Sequence, residues 1–363
     1  MLSYNFYLIT TGIIMKAFVM KKINETGIVD KEIPTVGPYD ALIKTTTTLV
    51  CTSDTHTVHG AIGERTNLTM GHEAVGTVYK IGDKVKDFKV GDRIVVGAIT
   101  PDWGSVAAQM GHPSQSNGAL GGWKYANIKD GSLAEYFHVN DADANMAKIP
   151  DSVKDEEAVY AADMMSTGFM AAENAKIPLG GTTAVFGGGP VGLMAVAGSK
   201  MLGAASIILV ETVPKRIELG KQFGADEIVD FRKVDTVDKI MELTGGKGVE
   251  SSIEALGAEV TFQNAVKVTM PGGTISNAGY HSEGEFVGIP REAWGFGMAE
   301  KSINTGLCTG GRLRMERLLR ILESKRLDPT KMTTHTFKFD QVARAFEIMD
   351  KKEDGVIKPI VKF

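Results

Sequence analysis

The rhythm of apolar and polar positions changes near residue 167. Upstream, short β-rich runs dominate. Lys16-Ala17-Phe18-Val19-Met20 reads as a strand opened by Met15, and residues 41–50 form a β run with four threonines. Ala74-Val75-Gly76-Thr77-Val78-Tyr79 and Arg93-Ile94-Val95-Val96 are further strands, punctuated by the turn signals Gly82-Asp83 and Gly91-Asp92. Residues 98–131 are rich in Gly, Ser and Asn and read as loop, with Trp103 and Trp123 inside. Downstream, strand-like runs at 183–186, 207–210 and 228–230 alternate with helical runs at 191–202 and 215–223. That alternation predicts a parallel sheet with right-handed crossovers. It stops near residue 308, where a basic amphipathic helix (313–327) and a last strand (357–361) follow. The pattern predicts an α/β doubly wound domain (167–307) inserted in a mainly β domain (15–166, completed by 308–363). Residues 1–14 are expected to be an extension with little structure of their own.

Composition narrows the function classes. At 363 residues the chain is long enough for about two domains. Lys plus Arg is 40 and Asp plus Glu is 44, a net charge of −4 that argues against a nucleic-acid partner. No stretch reaches the roughly 18 apolar residues of a membrane span. The apolar start lacks the basic region and cleavage site of a secretory signal. Cys51 and Cys308 are the only cysteines, too few for a disulfide framework or a four-cysteine zinc site. A reducing, cytoplasmic setting is the expectation.

Two constellations carry chemistry. Gly187-Gly188-Gly189-Pro190-Val191-Gly192 fits G-x-G-x-x-G between a predicted strand and a predicted helix. Gly187 permits the tight turn, Gly189 lets backbone approach a pyrophosphate, and Gly192 lets helix and strand pack closely. The helix start then favours the phosphates. Glu211, 19 residues after Gly192 at the end of the next strand, is placed to accept from ribose hydroxyls. The second constellation is Cys51, His72 and Asp163, a mixed S/N/O set suited to Zn²⁺ with one position left open. Glu73 either ligates intermittently or stands behind the ligands. On a helical turn Ser53 and His56 share a face and could form a proton path, or Ser53 and Asp54 could simply cap that helix.

These residues lie in longer familiar strings. Gly71-His72-Glu73-Ala74-Val75-Gly76, Gly91-Asp92-Arg93-Ile94-Val95 and the glycine loop resemble the zinc-dependent medium-chain alcohol dehydrogenases. Cys51-Thr52-Ser53-Asp54, His56-Thr57-Val58, Thr100-Pro101-Asp102-Trp103, Asp163-Met164-Met165 and Gly306-Leu307-Cys308 resemble its bacterial and protist secondary-alcohol branch. The resemblance implies a GroES-like catalytic domain around a Rossmann domain. It also implies one catalytic zinc on Cys51, His72 and Asp163 with Glu73 nearby, and a Ser53–His56 relay. A substrate pocket touching Ala98, Trp123 and Leu307 and a homotetramer belong to the same implication. The structural zinc of other branches is not expected, because residues 98–131 contain no cysteine.

The implied activity is hydride exchange between a nicotinamide cofactor and small secondary alcohols or ketones. A diol or polyol dehydrogenase, a metal-free quinone reductase of the same fold and a non-catalytic nucleotide-binding protein are the alternatives. At the cofactor the chain departs from the branch. Glu211-Thr212-Val213-Pro214 replaces the Gly-Ser-Arg-Pro run of NADP users, and Phe231 replaces a tyrosine. Although Lys215 and Arg216 follow, a carboxylate at that strand end predicts NAD over NADP.

Overall fold

The computed structural model describes residues 13–363, so the predicted extension falls almost wholly outside the described residues. The glycine-punctuated second half forms one six-stranded sheet, every strand parallel to its neighbours. Thr182–Phe186 lies at its centre. Ser206–Val210 and Glu227–Val229 extend it on one side, and Val249–Glu254, Thr269–Asn277 and Ser302–Thr305 on the other. This is the doubly wound order, and it turns around at the strand that feeds the glycine loop. The helices Pro190–Leu202 and Met164–Asn174 pack on it through Leu193, Met194, Ala195 and Phe169, all buried.

The threonine-rich run becomes the strand Ala41–Leu49, the hub of a seven-stranded sheet. Ala74–Ile81 pairs antiparallel along one edge of it. Its other edge is shared by Tyr136–Val139 and the C-terminal strand Lys358–Lys362. In that last pairing Ile360 opposes Leu49 and Val361 opposes Thr48, so the chain's end completes the sheet that its beginning started, as the sequence pattern predicts. A small antiparallel sheet of Ile14–Lys22, Glu25–Glu32 and Leu68–Thr69 covers one side.

Several limits differ from the sequence expectation. The basic helix is Arg312–Glu323, ending four residues early, because Ser324 and Lys325 cap it and Lys325 takes a left-handed backbone. The helix Met164–Asn174 starts ahead of the texture change at 167 and had no signal of its own. Within residues 98–131 there are only short helical turns, Val106–Gln109 and Pro113–Gln115. Among the described residues no helix is long and apolar enough to cross a membrane.

Close approach of the central strands depends on Gly76. A Cβ there would lie 2.2 Å from the Lys44 carbonyl oxygen, inside a paired ladder that cannot yield. Gly76→Ala is therefore expected to cost about 1–3 kcal/mol of stability through overpacking. Chemical unfolding checks this, and an unchanged midpoint would contradict it.

Candidate metal centre and cofactor loop

Three chain segments converge at the end of the strand Ala41–Leu49. Cys51 follows that strand and caps the N-terminus of the short helix Thr52–Val58. His72 and Glu73 lie immediately before Ala74–Ile81, and Asp163 immediately before the helix Met164–Asn174. Side-chain donor atoms of Cys51, His72, Glu73 and Asp163 all fall within 4.8 Å of one another. The structure thus brings together all four residues singled out from the sequence.

The cluster is arranged for a cation. His72 Nε2 stands 3.4 Å from Asp163 Oδ2 and 4.0 Å from Glu73 Oε1. Burial opposes an imidazolium at His72. The Asp54 charge and the hydrogen bonds to Asp163 and Asp54 overcome this and hold its pKa well above the usual histidine value. Burial alone would push the Asp163 carboxyl up, but the His72 hydrogen bond and charge pull it below its ordinary range. Glu73 Oε2 is buried without a hydrogen-bond partner. A buried carboxylate with one orphaned oxygen, grouped with a thiol, an imidazole and a second carboxylate, is the chemistry of a zinc site. The residues present fit that ion.

Two residues behind the cluster have roles that the sequence reading did not give them: Asp54, read there only as a possible cap, and Lys358. Asp54 is 1% exposed. Its Oδ2 accepts from the Cys51 N–H at 3.0 Å, while Oδ1 accepts from the Gly71 N–H at 3.1 Å and lies 3.2 Å from His72 Nδ1. It does cap the helix, but it also orients two candidate ligands at once. Lys358 is fully buried, and its Nζ donates to Glu73 Oε1 at 2.5 Å. The sequence signal for Asp54 was its adjacency to Ser53. For Lys358, 285 residues from Glu73, there was none.

Ser53 Oγ reaches His72 Nε2 at 3.2 Å, which puts the hydroxyl at the cluster. His56 sits one turn on and is exposed, and among the described residues no hydrogen bond joins it to Ser53. Partial desolvation of its ring against the protein, with the Lys352 and His59 charges adding to it, lowers the His56 pKa and favours the neutral form. Ala98, Trp123 and Leu307 come together with Ile99 and Cys308 in one small apolar cluster. Ala98 also donates its N–H to the carbonyl of Ala162, next to Asp163.

The glycine loop joins Thr182–Phe186 to Pro190–Leu202 as expected. Gly187 has φ +94°, and a Cβ on Gly192 would meet the Gly187 carbonyl oxygen at 1.8 Å. A Cβ on Gly189 would meet nothing within 4 Å, which leaves an open cradle above the helix start for a phosphate. A separate cavity of about 370 Å³, lined by Thr182, Ser206, Glu227 and Glu250, opens at the other ends of these strands. Dinucleotides bind at the carboxyl ends of such strands, so the cavity is not the cofactor site.

Glu211 does not present a free carboxylate. It is 6% exposed, and Oε2 accepts from the Gly188 N–H at 3.0 Å. Oε1 accepts from the N–H groups of Thr212 and Val213 at 2.6 and 2.9 Å. Arg216 Nη1 stands 3.6 Å away, and Arg232 Nη2 donates to the Thr212 carbonyl at 2.6 Å.

The Asp54 geometry generates a prediction. Asp54→Ala would strip partners from the backbone N–H groups of Cys51 and Gly71 and from the His72 ring. Loss of such outer support typically costs about 10- to 100-fold in metal affinity. Chelator competition on the zinc-loaded protein measures it, and wild-type affinity in the variant would refute the role.

Known proteins align with this chain over nearly its whole length. Residues 37–151 match the alcohol dehydrogenase GroES-like domain and residues 190–324 the zinc-binding dehydrogenase domain. The NADP-dependent isopropanol dehydrogenase of Thermoanaerobacter brockii is 51% identical, with 96% of this chain and 99% of that protein covered. Its Clostridium beijerinckii counterpart is 47% identical over 96% of this chain and 99% of that protein. Among solved structures, alcohol dehydrogenase TADH from Thermus sp. ATN1 superposes with a TM-score of 0.88 at 26% identity, covering 96% of this chain and 99% of that one. These names correct the expectation of NAD over NADP, since both relatives are named for NADP. The physical reason lies in the loop. The Glu211 charge is spent on three backbone N–H groups and faced by Arg216, so it is not the free repelling anion that the sequence suggested. With the ligand cluster, the glycine loop and these matches together, the chain belongs to the zinc-dependent medium-chain alcohol dehydrogenase family.

Proposed function

We propose that this enzyme interconverts small secondary alcohols and ketones by hydride exchange with a nicotinamide dinucleotide. The observation that carries the reading is the four-donor cluster beside the Ala98–Trp123–Leu307 apolar wall. Cys51, His72 and Asp163 would hold zinc and leave one position open, with Glu73 beside them as an intermittent donor or a group behind the ligands. Gly187, Gly189 and Gly192 would hold the pyrophosphate, with Glu211 fastening the loop. The catalytic part is read as residues 15–166 with 308–363, and the dinucleotide part as 167–307.

When bound, zinc supplies a Lewis acid that favours loss of the hydroxyl proton, and the nicotinamide supplies the hydride acceptor. The chain does the rest. Ala98, Trp123 and Leu307 offer apolar surface to the two alkyl arms of the carbinol and exclude water. The Ser53 hydroxyl, 3.2 Å from His72 Nε2, is close enough to the donors to take the substrate proton. His56, exposed on the next turn and favoured neutral, can accept that proton and pass it to solvent. NADP is the proposed cofactor, on the relatives' names and on the two guanidinium groups beside the loop. Fluorescence titration with both dinucleotides tests it, and tighter NAD binding would overturn it. A cytoplasmic homotetramer completes the reading. It is supported by the sheet-edge strand Ser302–Thr305 and by exposed Phe286, Phe296 and Met298 in the segment leading to it. Sizing in solution checks the assembly.

Cys51→Ala removes one of three proposed ligands, so activity is expected to vanish while the protein stays soluble. Full activity of that variant would sink the metal reading. On substrate, an extra methyl in an apolar pocket is worth about 1–3 kcal/mol, so 2-butanol should exceed ethanol in kcat/KM by roughly 10- to 200-fold. Equal values would contradict the secondary-alcohol assignment. For proton transfer, Ser53→Ala should cost about 10²- to 10⁴-fold in kcat. His56→Ala should cost less, because water replaces an exposed relay member. Unchanged rates in both variants would remove the relay.

A further inference from the structure

Trp123, the largest side chain of the apolar wall, stands on a loop that holds only short helical turns. Side chains on loops are placed less precisely than those on strands and helices. Here a neighbouring strand compensates. Tyr136–Val139 pairs antiparallel with Ala41–Leu49, with His138 opposite Leu42. At its end three polar atoms converge on one lysine of the loop. Lys129 Nζ donates to the His138 carbonyl at 3.0 Å and to Asn140 Oδ1 at 3.0 Å, and lies 3.3 Å from His138 Nδ1. It also stands 4.4 Å over the ring of Tyr125, whose hydroxyl donates to the same His138 carbonyl at 3.0 Å. His138 Nε2 meets Asp40 Oδ2 at 3.0 Å, so the imidazole is held from both sides. Burial pushes the Lys129 pKa down to about 7. Even uncharged, the amine keeps two hydrogens for the two oxygens, so the tie does not depend on its charge.

Two connections run from this knot to the wall. On one side, the Lys124 carbonyl accepts from the N–H groups of Asn127, Ile128 and Lys129 at 3.3, 2.9 and 2.9 Å. Asn127 Nδ2 donates to the Trp123 carbonyl at 3.0 Å, so residues 123–129 form one closed turn with Trp123 at its head. On the other side, Asn140 Nδ2 donates to the Thr100 carbonyl at 3.4 Å, and the Thr100 N–H donates to the Gly122 carbonyl at 3.0 Å. Thr100 follows the wall residues Ala98 and Ile99, and Gly122 precedes Trp123. Both limbs of the wall are thus stitched to each other and to the strand end.

We infer that Lys129 is a positioning residue for substrate selectivity, which fastens the turn 123–129 to the strand Tyr136–Val139 and so fixes Trp123 in the pocket wall. Without its amine, the hydrogen bonds from that turn to the strand reduce to the one from Tyr125. The far end of the loop stays anchored, because Asp130 takes Lys31 Nζ at 2.7 Å and the Thr69 N–H at 2.8 Å. Loss of Lys129 therefore loosens the Trp123 side and leaves the loop in place. An apolar pocket tells alcohols apart by fit alone, and a wall that gives way loses that fit. This inference rests on the reading of Ala98, Trp123 and Leu307 as the substrate wall.

The test measures kcat/KM for 2-butanol and for ethanol in the zinc-loaded wild type, in Lys129→Met and in Asn140→Ala. The ratio of the two cancels changes in metal content, proton transfer and amount of folded enzyme, which a purely structural defect would move equally for both alcohols. In Lys129→Met the ratio is expected to fall by about 10-fold, the lower end of what an added methyl is worth in a fitted pocket. The fall should come mainly from a higher KM for 2-butanol. With Trp103→Phe and Trp294→Phe in the background, Trp123 is the last of the three tryptophans. Its emission should then shift to the red, and its quenching by acrylamide should rise, when Lys129 is replaced. A wild-type ratio in Lys129→Met would overturn the inference, and so would a fallen ratio with unchanged Trp123 fluorescence, since the wall would not have moved. If Lys129→Met does not fold, Asn140→Ala decides alone: a fallen ratio supports the inference, and a wild-type ratio or a misfolded protein overturns it. A wild type that takes ethanol as readily as 2-butanol would instead refute the pocket reading, and the Trp123 fluorescence would then decide the positioning role by itself.

Discussion

Asp54 is the point on which the metal cluster depends. One buried carboxylate accepts from the Cys51 N–H, the Gly71 N–H and the His72 ring, and so ties the end of one strand to the start of its neighbour. Donors 21 residues apart in sequence are fixed in angle by a single group. A carboxylate behind a ligating histidine also sets which ring nitrogen carries the proton. Here that leaves Nε2 facing Asp163 and Ser53, the side where the other donors converge.

The rest of the fold serves to hold this point against the cofactor loop. Met164–Asn174, which Asp163 begins, packs face to face with Pro190–Leu202, which the glycine loop begins. A Cβ on Gly168 would strike Met194 Cβ at 2.4 Å, and one on Gly198 would strike Phe169 Cδ1 at 2.6 Å. Small residues on both helices therefore set the distance between Asp163, a candidate metal donor, and the glycine loop. Hydride transfer needs that distance fixed, because misplacement of reacting groups by about 1 Å can cost roughly 100-fold in rate.

Much of this was legible in the sequence. Strand–helix alternation announced the parallel sheet, and the β texture of both ends gave the expectation of one β-rich domain built from them, but not that the last strand would pair with Ala41–Leu49. Cys51, His72, Glu73 and Asp163 were legible because each stands at an element boundary with a residue type that needs a partner. The direction of the Glu211 carboxylate was not legible. A strand end predicts where a side chain starts, not that the following turn will offer it the N–H groups of Thr212 and Val213. Arg232 was missed for a related reason, since it reaches the Thr212 carbonyl from the turn after another strand.

Lys358 marks the deeper limit of reading a site from local pattern. A lone lysine opening a C-terminal strand reads as a solvated surface residue, because lysine is almost never fully buried unless paired. Its partner becomes visible only when the last strand is laid beside Ala41–Leu49, which brings residue 358 to residue 73. The ligand set itself nevertheless contained the demand. Three anionic donors around one divalent ion would leave a negative charge in a dry interior, which a buried cation would have to meet. Counting charge over a candidate ligand set therefore predicts the existence of such a residue, and the fold supplies its number.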